Sequence, residues 1–592
     1  MDKKQMAATG RPPGNRLLIK KSIDQIQHEA SSGHLKRSLG PINLVLLGIG
    51  CIIGAGIYVI TGTAAANFAG PAVMLSFIIA GMACAFAGLC YAELASTMPV
   101  AGSAYTYSYT TLGEIFAWTM GWLLVLEYGV AAATVAAGWS GNVVSLLADF
   151  GVALPETLTT SYVNAVPAAV GSGFTFVTGA GFNVVAALGI LAVTGLLVLG
   201  VSESASVNNV IVFIKVGILL LFIGMGIAFV NVDNWQPLIP PNEGGFQYGI
   251  PGVFRAASVI FFAYVGFEAV STAAAEAKNP AKDIPIGILG SLIVCTVIYM
   301  ATAAVLTGVV PFRELGVAAP IALAVDRMEM PWFSLLIKVG TIAGLTSVML
   351  ILTYGQSRIF YAIARDGLLP RVFSLLHSKF RTPWAGTLIL GVGIAVLASM
   401  LPIGILGDLV SLGTASAFGI VSLSVMYLRT ARSDLVRPFR VPFGGGMASQ
   451  PVAIIVGTVM AFLGLAFFRF LLESTWTDVG AIVVLVAAVV LLVLAILRKG
   501  PPVWLGPVPL LGVFFAFVMA GPLIEDVIIK AATGDPLPAA LLTGYFTLGA
   551  AIYIFYGFWN SRLAKGLQAI EDTPGVSPLE AQRHGVDQTP EH

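Results

Sequence analysis

Apolar runs of membrane-crossing length dominate this chain. A spanning helix needs about 20 predominantly apolar residues, and fourteen such segments are predicted. Their limits are 41–67, 71–97, 112–149, 180–201, 206–231, 252–275, 284–310, 332–366, 384–402, 404–428, 451–472, 478–497, 503–523 and 538–559. The third and eighth are too long for one perpendicular crossing, so they must tilt or project beyond the bilayer. These two are third in successive blocks of five. Because five is odd, the second block enters from the opposite side, which makes 41–231 and 252–428 an inverted repeat, a common transporter architecture. Residues 451–559 lack an equivalent and form a four-helix extension. The predicted fold is therefore all-α and polytopic, with about 14 transmembrane helices.

Composition supports the membrane assignment. The 592-residue chain is 57% hydrophobic and 10% charged, against roughly 25% charged in a soluble domain. Formal net charge is +1, so no basic bias points to nucleic acid. Charge distribution sets orientation. Residues 1–40, the tail from Ser561 and every second loop between them hold 24 of the 31 lysines and arginines, while loops 150–179 and 232–251 hold none. The positive-inside rule then predicts a cytoplasmic N-terminal segment 1–40 and a cytoplasmic polar tail 560–592. The tail from Glu571 reads as disordered, and no signal peptide is evident at the N-terminus. Cys51, Cys84, Cys90 and Cys295 lie in apolar runs without CxxC or CxxH spacing, which reads as buried thiols and no metal site. HExxH, GxSxG and Walker A patterns are missing, so neither an enzyme nor ATP hydrolysis is expected. No cofactor is implied.

The first segment contains GIGCIIGAGIYV, from Gly48 to Val59, although glycine within a helix costs about 1 kcal/mol relative to alanine. Two readings compete. Gly50 and Gly54 form a GxxxG pair that would let helices approach closely. Alternatively the chain unwinds near Gly54–Ala55–Gly56, and free N–H groups at the start of a half-helix make an anion site. Irregular backbone persists at membrane depth only where it lines a cavity or is buried in protein. The inverted repeat predicts a matching break in the sixth segment, where Phe261, Phe262, Tyr264 and Phe267 crowd around Gly266 and Glu268 follows.

GIGCIIGAGIYV, MPVAGSAYTYSYTTLGE, GWLLVLEY, FFAYVGFEAVSTAAAEAKNPAKDIP, SRIFYAIARDGLLP and RPFRVPF together resemble the amino acid–polyamine–organocation superfamily permeases, in the bacterial cationic-amino-acid-transporter branch. The resemblance covers residues 35–560 and implies the leucine-transporter fold, a 5+5 inverted repeat with helices 1 and 6 broken. It implies that backbone N–H groups of Ile53, Gly54, Ala55 and Gly56 bind a substrate carboxylate. Backbone carbonyls of Phe261, Phe262 and Ala263 bind its ammonium, with Phe262 as a gate. Met349 matches a position lining the side-chain pocket.

Ionisable residues inside spans are functional candidates by default. Glu93, near a segment end, reads as structural. Glu127, deep in the third segment, suits either the pocket or helix packing. Glu268 suits either the freed N–H groups of the break or a cationic side chain. Lys215 lies nine residues beyond Ser206, about 13 Å along a helix, so it could nearly snorkel to the surface. The resemblance instead implies proton coupling, because in proton-coupled relatives a matching lysine replaces a sodium ion between helices 1 and 8. Thr346 and Ser347 are its candidate contacts on helix 8. The expected function is secondary active transport of small or medium amino acids, proton-coupled, by alternating access across the bacterial plasma (inner) membrane. The expected partners are the amino acid, protons and the lipid bilayer. An amino acid/polyamine exchanger without net proton coupling and a non-transporting sensor remain as alternatives.

Overall fold

A computed structural model describes residues 16–22, 39–98, 103–167, 174–179, 181–200, 205–380, 382–472, 476–498, 501–532, 534 and 536–566. The readings of residues 1–15, 23–38 and 567–592 lie outside the described residues. The protein is a polytopic, predominantly helical membrane protein. Among the described residues, ten helical runs are long and apolar enough to cross a membrane, and four further apolar helices are shorter.

The helices are α1 (Pro41–Ile52), α2 (residues 56–69), α3 (Val73–Thr97), α4 (Ser103–Thr111), α5 (Glu114–Asp149), α6 (Val184–Val198), α7 (Ala205–Gly226), α8 (Gly249–Ile260) and α9 (Ala269–Thr272). They continue with α10 (Pro280–Val309), α11 (Pro331–Arg365), α12 (Trp384–Met400), α13 (Ile403–Ala431), α14 (Gln450–Leu472), α15 (Trp476–Arg498), α16 (Pro507–Ala532) and α17 (Leu537–Asn560). Two packed groups organise them. In one, α10 lies against both α1 and α3, and α8 also lies on α3. In the other, α11 packs on α5 and α12 packs on α6. Helix α7 touches α1 and α11, one from each group, and α13 carries α16.

Small residues set these approaches. A Cβ at Gly48 of α1 would sit 2.5 Å from Ser291 Oγ of α10, and one at Gly287 of α10 would sit 2.8 Å from Leu44 Cβ. The outer surface is the reverse of a soluble protein: Ile293, Val297, Phe213, Leu188 and Ile482 are each more than 60% exposed. In a bilayer such side chains need no cover, since lipid tails are as apolar as they are.

Three features differ from the sequence reading. Residues 503–505 form a strand instead of starting a helix, pairing antiparallel with Gly446–Ala448, so Val503 faces Ala448. Helix α16 runs on to Ala532, past the expected end at 523, because Asp526 and Lys530 form an ion pair at 2.9 Å along it. The expected loop 150–179 contains the antiparallel hairpin Val163–Pro167 with Phe174–Thr178.

Charges cluster at the two ends. On the basic face, Lys21 meets Asp366 at 2.7 Å, and Tyr105 donates to the same carboxylate at 2.8 Å. Tyr109, Tyr553 and Ser561 all donate to Glu114, tying the start of α5 to the end of α17. Glu93, 1% exposed, accepts from Arg429 Nε at 2.7 Å and from Val441 N–H at 2.8 Å. On the far face, buried Arg255 of α8 binds Asp408 of α13 through two nitrogens, at 3.0 and 2.8 Å, and Asp526 of α16 at 2.9 Å. Buried Lys338 holds Asp149 at 2.7 Å and Asp326 at 2.9 Å.

Breaking a buried ion pair from one side costs about 3 kcal/mol or more. Arg429→Ala removes the bidentate partner of the Glu93 carboxylate, leaving it the Val441 N–H at 2.8 Å and Arg437 at 3.6 Å, and is expected to lower the apparent unfolding temperature in detergent clearly. Arg432→Ala, whose salt bridge to Asp434 is exposed, is expected to change it little. Equal midpoints for the two variants would contradict the anchoring role of Glu93.

Candidate functional site

The main chain opens twice near the centre of the first packed group. Helix α1 ends at Ile52. Ile53 is extended (ψ 102°), although its N–H still reaches Ile49 O at 2.9 Å. Gly54 lies outside any helix, Ala55 returns to helical angles, and Gly56–Ile60 winds as a π-helix. Ile53, Gly54, Ala55 and Gly56 thus straddle the gap, and all four are buried. The terminal carbonyls of α1 and the first N–H groups of α2 have no partner within their own helices.

The second opening follows α8. Phe261–Tyr264 tightens into a 3-10 turn, Val265 is extended (ψ 132°), and Gly266 has φ +116°. That left-handed region favours glycine. The Val265 N–H bonds the Phe262 carbonyl at 3.0 Å. Glu268 then folds back. Its Oε2 accepts the Gly266 N–H at 2.9 Å, and its Oε1 accepts the Tyr128 hydroxyl of α5 at 3.0 Å. Of the two readings of Glu268, the structure places its carboxylate on backbone freed by the break.

The two openings touch each other, and this explains two glycines. A Cβ at Gly56 would overlap Ala263 Cα and Cβ. A Cβ at Gly266 would sit 2.7 Å from the carbonyl of Cys51. Gly54 is less confined: its Cβ would meet the Val348 methyls of α11 at 3.2 and 3.4 Å. Close approach and an opening of the helix therefore occur in the same segment, but the tightest contact is at Gly56, outside the Gly50–Gly54 pair.

Lys215 does not turn back toward the membrane surface. It is 1% exposed, and its ammonium donates to the Gly50 carbonyl at 3.1 Å, one of the last carbonyls of α1. A cation there is favoured by the negative end of a helix dipole. Its methylenes pass Gly344 of α11, where a Cβ would lie 3.2 Å from Lys215 Cγ. The Tyr58 hydroxyl of α2 donates to the Lys215 carbonyl at 3.2 Å. Lys215 therefore touches both halves of the broken helix and α11. Thr346 is engaged elsewhere, accepting from Trp139 at 3.0 Å and donating to Ile342 O at 2.8 Å. Ser347 is buried.

Glu127 is fully buried within a π-turn, Val125–Val130, that interrupts α5. Neither of its oxygens has a hydrogen-bond partner among the described residues. The amide of Gln356, on α11, is likewise buried without a partner among them. A Cβ at Gly129 would lie 3.5 Å from Gln356 Oε1, so the π-turn and α11 face each other here. Orphaned polar atoms in a low-dielectric interior are costly, and π-turns are frequent at functional sites. Met349 is fully buried beside Val348, and Phe262 is 5% exposed. Among the described residues no cluster of three or more His, Cys, Asp or Glu is placed to hold a metal. Sequence reasoning missed Tyr128 and Gln356; the GWLLVLEY motif contained Tyr128 but gave no sign of its partner.

The amino acid permease family matches residues 39–494. A Bacillus subtilis methylthioribose transporter is 43% identical over 79% of this chain and 96% of its own length. The B. subtilis branched-chain amino acid permease BcaP is 43% identical over 78% and 96%. The vacuolar cationic amino acid transporter 4 of Arabidopsis thaliana is 36% identical over 71% and 68%. These relatives are transporters, not enzymes, and with most of its length matched and two interrupted helices meeting at its centre, this chain belongs to the amino acid permease family.

Proposed function

We propose that this protein is a secondary active transporter of small or medium neutral amino acids, coupled to protons and working by alternating access. The observation that carries this reading is the contact between the two breaks, Gly56 against Ala263 and Gly266 against Cys51. Free N–H groups at Gly54–Gly56 suit a carboxylate. Carbonyls at the second break suit an ammonium. A zwitterion satisfies both at once. The architecture is read as fourteen spanning helices, with 41–231 and 252–428 as inverted repeats and 451–559 as an appendage. The basic face is read as cytoplasmic, in a bacterial plasma membrane.

In this reading Lys215 carries the coupling. Bound to Gly50 O, its ammonium holds the end of α1. Charged and neutral lysine differ in that contact, so proton loss and movement of the break are linked, and coupling requires such a difference between states. Met349 and Glu127 shape the side-chain end of the pocket, and Phe262 closes it. A neutral substrate is favoured by the branched-chain permease among the relatives. The direct test is uptake into proteoliposomes of labelled leucine, alanine, arginine, putrescine and methylthioribose, with and without an inward proton gradient. Gradient-driven leucine or alanine accumulation is expected. Counterflow indifferent to the gradient would point to an exchanger, and methylthioribose uptake alone would overturn the amino acid reading.

Three variants probe the parts. Gly56→Ala is expected to lower amino acid affinity about 100-fold, since the methyl has nowhere to go, while Gly54→Ala costs about tenfold or less; equal effects would contradict the close approach at Ala263. Phe262→Ala is expected to slow turnover while membrane insertion stays normal, because gate closure often limits transport cycles; unchanged uptake kinetics would remove it from the gate. Lys215→Met is expected to retain binding yet lose accumulation driven by a pH gradient. Lys215→Arg should fail as well, since arginine does not deprotonate in proteins. Accumulation by Lys215→Met equal to the parent would make Lys215 structural only.

A further inference from the structure

Tyr299, on α10, is fully buried, and its hydroxyl meets one carbonyl from each break. It lies 2.9 Å from Ile52 O, the last carbonyl of α1, and 3.2 Å from Ala263 O, in the turn after α8. A phenol carries one hydrogen, so it serves one of these carbonyls fully at any instant and leaves the other a free lone pair. The ring is held independently of the hydroxyl. It packs on Phe77 of α3 at 5.3 Å and on Tyr264 at 5.7 Å between centroids.

We propose that Tyr299 is a positioning residue that fixes the spacing between the carboxylate-binding and ammonium-binding halves of the site. The inference rests on the zwitterion reading above. Carboxylate and ammonium are joined through a single carbon, so both interactions form together only when the two backbone segments keep one separation. Close packing of Gly56 on Ala263 sets the approach of the segments. The Tyr299 hydroxyl sets which way the two carbonyls face. It also lets the site exist empty, because Ala263 O has a donor when no ammonium is present. When an ammonium arrives, the hydrogen turns to Ile52 O without loss.

Tyr299→Phe removes the hydroxyl and keeps the ring, so packing against Phe77 and Tyr264 is retained. The experiment compares binding of the best-bound amino acid of the uptake panel with that of the same acid bearing hydrogen in place of its amino group. For leucine the second ligand is 4-methylpentanoate. The parent is expected to prefer the amino acid strongly. In Tyr299→Phe the two carbonyls are no longer held in the orientation the ammonium needs, so the amino acid Kd is expected to rise about tenfold, while the Kd of the deaminated acid stays constant. Preference for the amino group therefore falls about tenfold. Tyr264→Phe removes a neighbouring hydroxyl that bonds Phe77 O and Thr296 rather than the two breaks, and is expected to leave the ratio unchanged. A Tyr299→Phe ratio within twofold of the parent, or both Kd values rising together, overturns the positioning role. A parent that fails to distinguish the two acids overturns the zwitterion site itself, a separate outcome.

Discussion

Every peptide group inside hydrocarbon must find a partner, because no water is there to supply one. An unbroken helix meets this demand internally. This protein breaks two helices at one level and then answers for the groups it frees. Lys215 takes the Gly50 carbonyl, the single Tyr299 hydroxyl hydrogen is shared between those of Ile52 and Ala263, and Glu268 takes the Gly266 N–H. The donors come from α7 and α10, and the acceptor lies just beyond the second break. The N–H groups at Gly54–Gly56 are the part of this arrangement that suits a ligand. The candidate site is thus main chain, held in an unusual shape by a few ionisable and phenolic side chains.

The same economy governs charge. Buried ions are paired at both ends of the molecule, Glu93 with Arg429 on one face and Arg255 with Asp408 and Asp526 on the other. The Arg255 cluster joins the helix leading into the second break to α13 and to α16. Helix α16 is therefore linked to the broken segment through an ion pair as well as through apolar packing. Glu127 is the exception, a fully buried carboxyl with neither oxygen partnered among the described residues. It lies one residue from Tyr128, which holds Glu268, so the π-turn that carries it is joined to the second break.

Much of the arrangement was legible because glycine and charge are conspicuous in apolar sequence. Gly54, Gly56 and Gly266 stood out where a helix former would serve better, and Glu268 beside a break had an obvious use for its oxygens. Tyr299 carried no such mark: it reads as one aromatic among many until its two carbonyl partners are in place. Lys215 was visible as a charge, but its direction was not, since its stem is long enough to point either way. The end of α16 was misjudged because Glu525, Asp526 and Lys530 look like a boundary, whereas Arg255 and a pair within the helix neutralise Asp526. The strand at 503–505 depends on pairing with residues 446–448, far away in the chain, which a local apolar window does not register. The π-turn around Glu127 packs against α11 and α13, neighbours that its own residues do not announce.

In the proposed reading, facing breaks rather than side chains form the binding site. A cryo-EM structure of the protein with its best-bound amino acid measures this directly. The carboxylate is predicted to lie within hydrogen-bond distance of the N–H groups of Gly54–Gly56, with the ammonium at the carbonyl of Ala263. A ligand bound away from both breaks, or held at them only through side chains, would contradict the account.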